Sequence, residues 1–577
     1  ESLLLLNNTK GPSEFFPNLN TASNMPPAAS KMKTKRISAV PQNFVTKSLR
    51  KYIQGLDDNN TGSVKVKKFL EKLKDNGLHI GDRRLKLMFE ALYSDPMESI
   101  PIDTLTEIAG LGGITVYSAL SSRMVIADFK SFAAECYRIY EEVRTIDDGT
   151  VADYIPQLAN ADRNLFSVSI TTVDGQCFAF GDAKETFCLQ SVSKPITYCE
   201  AMHEHGVDVV HQHVGREPSG AEFNAMSLKT VEKKNKFDPN KPKAIPHNPL
   251  VNAGAIICTS LMQAGEPLST RLAKYMGMWS ELCGEQVGFD PTVMMSERAT
   301  ADRNMSLAYM MKENRSFLNR KVDVKTELEL YFSTCSVLVT TPQLATAAAT
   351  LANGGTQPIT GNRVFEQTAC RNVLSLMLSC GMYDFSGEWA FTVGLPAKSG
   401  VSGALMVVIP NVLGLAIYAP PLDVHGNSVR GIAFTQRLVE AFSFHHLDFR
   451  RQKKATDPTV SAYSRNQEQL FEFIYAAASG DMMVIQQLVD DHQIDVNVAD
   501  YDRRTALHVA ASEGNLTVVT YLLEQGADLS LQDRWGNTPL DDAKREGHED
   551  ICGVLRGESA GLQSSTSATS TPSPRTS

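Results

Sequence analysis

The chain has 577 residues, which is too long for one hydrophobic core, so two to four domains are expected. Its 42% hydrophobic and 21% charged residues are typical of a globular protein, and its formal net charge of −9 argues against a nucleic-acid partner. No apolar stretch approaches the roughly 20 residues that span a bilayer. The ten cysteines include no C-x-x-C pair, which favours a reducing compartment.

Residues 1–43 are rich in Asn, Pro, Ser and Ala and poor in acidic side chains. Against Glu1 and Glu14 stand five basic residues, which are Lys10, Lys31, Lys33, Lys35 and Arg36. This composition predicts a disordered basic leader. It fits the remnant of a mitochondrial presequence and a plain flexible tail equally well.

Residues 44–145 carry apolar side chains at helical spacing, which predicts a small all-α domain. Within it, residues 57–64 resemble the start of an EF-hand calcium loop, with oxygen-bearing side chains at loop positions 1, 3 and 5 and Gly62 at position 6. Calcium requires a bidentate glutamate at position 12, where this chain has Lys68. An EF-hand-like packing unit without metal is therefore favoured over a calcium site.

Residues 146–450 mix strand and helix patterns. The predicted strands form two hairpins, and Asp174 and Gly175 close the first of them in a tight turn. The strands are at 165–172, 176–180, 403–409 and 413–418, with helices between them at 342–352 and 370–378. Strands at both ends and helices in the middle predict an α+β catalytic domain whose first and last strands share one sheet.

Directly after the first hairpin, Ser191 and Lys194 form an S-x-x-K pair at the start of a predicted helix. One helical turn places the hydroxyl and the amine on the same face, within hydrogen-bonding distance. A lysine whose pKa is lowered by burial can accept the serine proton and make the hydroxyl a nucleophile. The spacing also occurs by chance at Ser30 and Ser48, but the match at Ser191 is flanked by apolar residues that would bury the lysine and follows a predicted hairpin. It is paired far downstream with a K-[ST]-G motif at 398–400, just before a predicted strand. This order indicates a β-lactamase/transpeptidase-like fold.

The C-terminal part repeats with a period of 33 residues, as in Thr505 and Thr538. A T-x-L-H-x-A signature at this period is typical of ankyrin repeats, which are predicted at 465–557. Such repeats bind partners and have no chemistry of their own, so His508 is interpreted as a structural residue. The Ser/Thr/Pro-rich residues 558–577 are predicted to be a disordered tail.

Longer strings in the predicted catalytic domain resemble the glutaminase family. They lie at residues 151–158, 247–256, 296–298 with 302–304, and 381–387. The order of helical domain, catalytic domain and ankyrin repeats is similar to that of animal phosphate-activated glutaminases of the kidney and liver type. The resemblance implies an enzyme that hydrolyses L-glutamine with water to L-glutamate and ammonia, without a cofactor.

The family's catalytic roles fall on matching residues of this chain. The resemblance implies that Ser191 is the acyl-enzyme nucleophile and that Lys194 is its base. Tyr383 and Tyr154 would assist proton transfer and close the site. The backbone amides of Ser191 and Val401 would form the oxyanion hole.

Substrate binding is likewise implied at matching positions. These positions are Gln190, Ser191, Asn252, Glu297, Asn304, Tyr331, Tyr383 and Val401. A carboxylate such as that of Glu297 suits the α-ammonium of glutamine, and neutral amides and phenols suit its other polar groups. Other interpretations stay open, since Asn252 could cap a helix, Tyr331 could be a core aromatic and Arg303 could belong to a structural ion pair.

The segment between Gly220 and His247 departs from the resemblance. It is longer than the gating loop of the family, and only Phe223 and Asn224 match the nearby family pattern. Its six lysines are Lys229, Lys233, Lys234, Lys236, Lys241 and Lys243. Two interpretations are equally favoured: a solvated insertion, or a cationic segment that closes over the site when inorganic phosphate, the expected activator, neutralises it.

The resemblance further implies a homotetramer, with filaments as a higher assembly, a mitochondrial location with the cytosol as the alternative, and an unidentified protein partner on the ankyrin repeats. Two other functions compete with this one: another acyl-serine hydrolase of the penicillin-recognising kind, and a non-catalytic ankyrin scaffold. Cell-wall hydrolases are exported and have no use for ankyrin repeats, which disfavours the first. Every expected catalytic side chain is present, which disfavours the second.

Overall fold

The structure is a computed structural model that describes residues 42–94, 97–220, 225–232, 243–319, 321–448, 457–460, 462–491 and 494–557. The predicted leader up to residue 41 and the predicted tail from residue 558 lie outside the described residues. The chain divides into two compact units, Glu1–Thr459 and Val460–Ser577. Within the described ranges, no helix combines the length and the apolar character that a membrane span requires.

Five helices and a short antiparallel strand pair come first in the larger unit. They are α1 (Gln42–Gln54), β1 (Ser63–Lys65), α2 (Val66–Asp75), α3 (Lys86–Ser94), β2 (Ser99–Pro101), α4 (Ile102–Gly110) and α5 (Gly113–Leu120). The helical spacing of apolar side chains brings Phe69, Met88, Leu92 and Leu105 into one buried core. The helical pattern predicted here is confirmed.

The loop between α1 and β1 is closed by its own side chains. Asp57 accepts a hydrogen bond from the backbone N–H of Gly62 at 2.7 Å. Lys68 Nζ lies 2.6 Å from Asp58 Oδ1 and donates to the backbone oxygen of Leu56 at 2.8 Å. An ammonium group from α2 therefore neutralises a carboxylate of this loop.

A five-stranded antiparallel sheet lies at the centre of the larger unit. Its strands are β3 (Ser167–Thr172), β4 (Cys177–Gly181), β10 (Ala397–Ser399), β11 (Ala404–Ile409) and β12 (Leu413–Tyr418), and their order across the sheet is β10–β11–β12–β3–β4. Both predicted hairpins are confirmed, and β12 pairs with β3, so the first and last strands share one sheet as predicted. Lys398 and Ser399 of the K-S-G motif lie in a strand of their own, β10, in which Lys398 pairs with Met406 of β11.

Helices cover both faces of the sheet, because successive strand residues are apolar on both sides. In β11, Met406 and Val408 enter the core on one face, whereas Leu405 and Val407 enter the core on the other. On the first face, α15 (Thr341–Ala352) packs directly on the strands. The same core contains side chains of α8 (Lys194–His205), α10 (Asn252–Leu261), α11 (Leu268–Cys283), α14 (Val324–Cys335) and α16 (Gln367–Cys380). The second face packs against α6 (Phe129–Val143), α17 (Ser386–Thr392) and α18 (Val429–Ala441). The predicted helices at 342–352 and 370–378 are confirmed as α15 and α16.

Short elements complete the larger unit around this sheet. They are α7 (Pro156–Ala159), β5 (Phe187–Cys188), α9 (Val207–Val210), β6 (Lys229–Glu232), β7 (Lys243–Ile245), β8 (Gly288–Phe289), α12 (Pro291–Ala299), α13 (Asp302–Glu313) and β9 (Val337–Val339). Strands β5, β9 and β8 form a small sheet of their own. Within it, β5 comes directly before the turn that bears Ser191.

The apolar face of helix α6 enters the core of the sheet and not the core formed by α1 to α5, which corrects its predicted place in the helical domain. Phe132 lies 4.9 Å from Phe442 and 6.0 Å from Phe178 between ring centres. Tyr140 stacks on Phe166 at 4.7 Å. The helical pattern alone led to the wrong assignment, since it shows that α6 has an apolar face but not which core that face enters.

The β3–β4 turn is attached to the helical region by polar contacts. Arg84 donates to the backbone oxygen of Asp174 at 2.5 Å. The buried Gln176 side chain accepts from the N–H of Ile126 at 2.9 Å and donates to the backbone oxygen of Asn76 at 3.1 Å. Because buried polar groups must be paired, these bonds fix the turn relative to the preceding helices.

The smaller unit consists of helix pairs. Its helices are α19 (Ala462–Ser479), α20 (Met482–Gln486), α21 (Ala506–Glu513), α22 (Leu516–Glu524), α23 (Pro539–Glu546) and α24 (Glu549–Leu555). Thr505 and Thr538 cap α21 and α23 in equivalent capping boxes, as a repeat requires. His508 is buried, and its Nδ1 hydrogen-bonds Thr505 Oγ1 at 2.9 Å, so its predicted structural role is confirmed.

Candidate active site

Ser191 lies in a 3₁₀ turn, Gln190–Ser193, that leads directly into α8. Lys194, at the start of α8, donates from Nζ to Ser191 Oγ at 2.5 Å. The lysine is only 2% exposed, and burial lowers the pKa of its amine. A neutral amine at this distance can take the hydroxyl proton, so the pair has the geometry of a nucleophile and its base.

Two residues around Ser191 hold a strained backbone. Gln190 has a φ of 49° and Tyr383 a φ of 53°, in the left-handed region that residues with a side chain seldom adopt. Such conformations cost about 1–3 kcal/mol each and persist only when surrounding contacts enforce them. Here they orient the Gln190 side chain and the Tyr383 ring towards the site.

Tyr383 is buried against Ser191. Burial raises the pKa of its hydroxyl, and the neighbouring Ser191 side chain opposes this rise. Beneath the ring, Lys398 Nζ lies 4.3 Å from the ring centre and donates to the backbone oxygens of Gly381 (3.0 Å) and Ser399 (2.7 Å). Tyr383 therefore lies between Lys398 of the K-S-G motif and the nucleophile Ser191.

Gly400 lets the end of β10 approach the nucleophile turn closely. A Cβ at this position would lie 2.9 Å from the backbone oxygen of Leu189 and 3.0 Å from Val192 Cγ2, which only glycine avoids. The next residue, Val401, has a backbone N–H that finds no partner among the described residues. That N–H is free to donate to a ligand beside Ser191.

A second group of predicted site residues forms a hydrogen-bonded network on the β5 side. Tyr154 donates to Glu297 Oε1 at 2.6 Å, and Gln190 Nε2 donates to the same oxygen at 2.9 Å. Burial, followed by the Glu297 carboxylate, raises the pKa of the Tyr154 hydroxyl, so the phenol stays protonated as a donor. Gln190 precedes Ser191, so this network adjoins the nucleophile.

The remaining predicted residues are placed as follows. Asn252 Nδ2 donates to Asn304 Oδ1 at 3.3 Å. Among the described residues, no hydrogen bond joins this pair to the group around Ser191. Asn252 is the first residue of α10 and its side chain does not cap the helix. Tyr331 is buried on α14, with its ring centre 5.8 Å from Lys194 Nζ.

Two side chains near the site were not predicted. Lys398 was recognised only as part of a motif, and the contact of its ammonium with Tyr383 joins two segments that are distant in the sequence. The buried thiol of Cys335 is close enough to Lys194 for the amine to lower its pKa, although burial raises that pKa more. No local spacing marks Cys335, so the sequence offered no signal for it.

The cationic segment is described only at its two ends. Strands β6 and β7 pair with each other, and Lys229 Nζ lies 3.3 Å from Glu217 Oε2. The other predicted features, which are Phe223, Asn224, Lys233, Lys234, Lys236 and Lys241, lie outside the described residues.

Comparison with known proteins identifies relatives over most of the chain. A glutaminase family model matches residues 149–447, and a model of three ankyrin repeats matches residues 473–564. The chain is 40% identical to the mitochondrial liver isoform of glutaminase from Rattus norvegicus, over 85% of this chain and 81% of that protein. It is 42% identical to a glutaminase from Nostoc sp., over 53% of this chain and 87% of that protein.

A solved structure is similar as well. A crystal structure of Mglu in its native form matches at 34% identity with a TM-score of 0.50, covering 54% of this chain and 72% of that one. The matched family region contains the sheet, Ser191, Lys194 and the network around Glu297. The chain therefore belongs to the glutaminase family, amidohydrolases that convert L-glutamine to L-glutamate and ammonia.

Proposed function

We propose that Ser191 attacks the side-chain amide of L-glutamine and forms an acyl-enzyme. The contact between Lys194 Nζ and Ser191 Oγ in a buried site is the observation that supports this most. Lys194 takes the hydroxyl proton while Oγ bonds to the amide carbon, and the C–N bond breaks as the nitrogen receives that proton and leaves as ammonia. Water then adds to the ester, its proton passes to Lys194 and back to Oγ, and L-glutamate departs.

The developing oxyanion lies between the backbone N–H groups of Ser191 and Val401. The close approach of Gly400 to the nucleophile turn supports this assignment, as does the Val401 N–H, which has no partner in the part of the chain that the structure describes. Tyr383 relays protons between Ser191 and the leaving nitrogen, since its hydroxyl adjoins Ser191.

Substrate recognition rests on the network around Glu297. Its carboxylate binds the α-ammonium of glutamine, with Tyr154 and Gln190 fixing its orientation. Further substrate contacts come from the neutral side chains of Asn252, Asn304 and Tyr331 and from Tyr383. The Tyr154 hydroxyl is buried against Glu297, but the residue as a whole is 43% exposed, so it stands at the entrance and closes the site over bound substrate.

Ammonia release from glutamine, asparagine and a chromogenic β-lactam tests the reaction and its specificity. Turnover of glutamine alone is expected, and Ser191→Ala or Lys194→Ala lowers kcat by at least roughly 10³-fold with little loss of stability. Ser48→Ala, which alters an S-x-x-K pair outside the site, is the matched control and retains full turnover. Near wild-type turnover by Ser191→Ala would rule out the covalent mechanism.

The N-terminal helical region acts as an EF-hand-like packing unit without calcium. Its β1–β2 pair sets Val64 opposite Ile100, and both side chains are buried, as in paired EF-hand loops. Lys68 contacts the loop with an ammonium group where calcium requires a carboxylate. Its positive charge takes the place of an ion.

We propose the remaining properties from the family resemblance of the sequence. The ankyrin repeats serve as a platform for a protein partner. The enzyme acts as a homotetramer that also assembles into filaments, and inorganic phosphate activates it. A mitochondrial location is supported by the mitochondrial liver isoforms of Rattus norvegicus and Mus musculus, each 40% identical over 85% of this chain.

A further inference from the structure

The ankyrin unit is strongly acidic. Residues 460–557 contain 17 Asp and Glu against seven Lys and Arg, a formal net charge of −10. The whole chain has a net charge of −9, so this unit accounts for all of the chain's net negative charge. Such a field attracts a basic partner and repels an acidic one.

The basic side chains of this unit are largely neutralised within it. Arg534 lies 2.7 Å from Asp502, Arg545 lies 2.7 Å from Asp542, and Arg504 lies 3.2 Å from the same Asp542. Acidic side chains in excess of these pairs are exposed on the surface, among them Glu513, Glu549 and Asp550. The negative charge is therefore available to a partner.

Two exposed aromatic rings lie together at the tips of consecutive repeats. Tyr501, before α21, is 91% exposed, and Trp535, before α23, is 60% exposed. The Arg534 guanidinium lies 4.5 Å from the Trp535 ring centre and 5.9 Å from that of Tyr501. These residues and Asp502 are called the fingertip cluster below.

We infer that the fingertip cluster is the docking site for a lysine- and arginine-rich segment of a partner protein. Exposed Trp and Tyr faces bind Lys and Arg through cation–π contacts, and such residues dominate binding energy at interfaces. Arg534 already rests on both rings, and its charge is paired with Asp502, so the rings are ordered before the partner arrives. The inference rests on the proposed role of the repeats as a platform.

Binding of fluorescein-labelled decalysine to the full chain, followed by anisotropy, tests this inference. Binding is expected for decalysine, with affinity falling as NaCl is raised. Trp535→Ala and Tyr501→Ala are each expected to weaken binding about tenfold, the size of one interface anchor. Phe391→Ala removes an 83% exposed ring of the larger unit and is the control that leaves binding unchanged.

Two results would overturn the inference at different levels. Unchanged decalysine affinity in a Tyr501→Ala/Trp535→Ala double variant would overturn the fingertip cluster as the site, while the repeats would remain an acidic platform. Failure of decalysine to bind the wild-type chain would overturn the inference that the partner segment is rich in lysine and arginine. Quenching of tryptophan fluorescence is an independent readout, because Trp279 and Trp389 are fully buried and Trp535 is exposed.

Discussion

At the scale of single residues, Lys398 is a positioning residue for Tyr383. Its ammonium is fully buried, and its three N–H bonds face the backbone oxygens of Gly381 and Ser399 and the Tyr383 ring. Burial, and then the charge of Lys194, lowers the pKa of this amine well below its usual value. Its surroundings oppose that shift, because two carbonyl oxygens and a ring face all favour a cation.

Lys398→Met is expected to lower kcat roughly 30-fold with little change in KM, because a desolvated cation–π contact is worth about 2 kcal/mol and Lys398 does not reach the substrate. Steady-state kinetics of both single variants and of Lys398→Met/Tyr383→Phe measure the coupling. Since Lys398 acts through Tyr383, the double variant is expected to be no slower than Tyr383→Phe. Fully additive losses would show that Lys398 acts by another route.

Glu200, on the same helix as Lys194, makes stability depend on pH. Burial, followed by repulsion from Glu204, raises the pKa of its carboxyl to about 7, while Lys274 opposes the shift. The folded state thus holds a proton that the unfolded state loses near the ordinary value of 4.5. Stability from this group is therefore lost as the pH rises from about 4.5 to about 7.

Glu200→Gln is accordingly expected to raise Tm relative to wild type, and to raise it more at pH 8 than at pH 5. Thermal melts at the two pH values measure this difference. Glu388 is exposed, and Glu388→Gln is the control, for which the change in Tm is expected to be nearly the same at both pH values. An equal change in Tm at both pH values would show that the carboxyl does not titrate in this range.

The sequence predicted those site contacts that depend on local spacing. Ser191 and Lys194 are one helical turn apart, so their contact follows from helix geometry alone. The left-handed backbone of Tyr383 and its contact with Lys398 could not be predicted, because both depend on how distant segments pack. Glu297 was placed only by family resemblance, since its bond to Tyr154 spans 143 residues.

At the scale of elements, the first helix–loop–helix unit can be converted into a calcium site. Gly62 has the positive φ of 76° that the loop requires, and Asp57 already accepts from its N–H. Lys68→Glu is expected to create calcium binding that calorimetry detects, because it supplies the bidentate ligand at position 12. Lys68→Gln removes only the charge and is the control.

Wild type is expected to show no such binding and to keep its activity with calcium chelated. Micromolar calcium binding by wild type that disappears in Asp57→Ala would contradict the proposed role of Lys68.

Elements with a strong local pattern were predicted well. The apolar runs of β11 and β12 and the turn at Gly175 predicted both hairpins. Helix α6 was assigned to the wrong core, because an amphipathic pattern does not name its partner. The attachment of the β3–β4 turn through Gln176 also depends on long-range packing, with partners 50 and 100 residues away.

At the scale of the whole molecule, phosphate activation is expected to depend on the cationic segment at 229–243. Replacing Lys233, Lys234 and Lys236 with Gln is expected to raise the phosphate concentration for half activation and to leave maximal turnover roughly intact. Because the attraction is screened, activation should also weaken as inert salt is raised. Phosphate titrations of ammonia release measure both effects.

A matched triple variant changes three exposed lysines of the helical region to Gln, which are Lys65, Lys67 and Lys74. It is expected to respond to phosphate as wild type does. If the variant of the cationic segment also gives the wild-type response, the segment is a plain insertion and the anion binds elsewhere.

Rapid quenching followed by intact-protein mass spectrometry tests the acyl-enzyme most directly. Wild type mixed with L-glutamine and quenched in acid is expected to carry one γ-glutamyl group, which peptide mapping places on Ser191. Ser191→Ala is expected to carry none and to lose turnover. An adduct on another residue, or full turnover by Ser191→Ala without any adduct, would contradict Ser191 as the nucleophile.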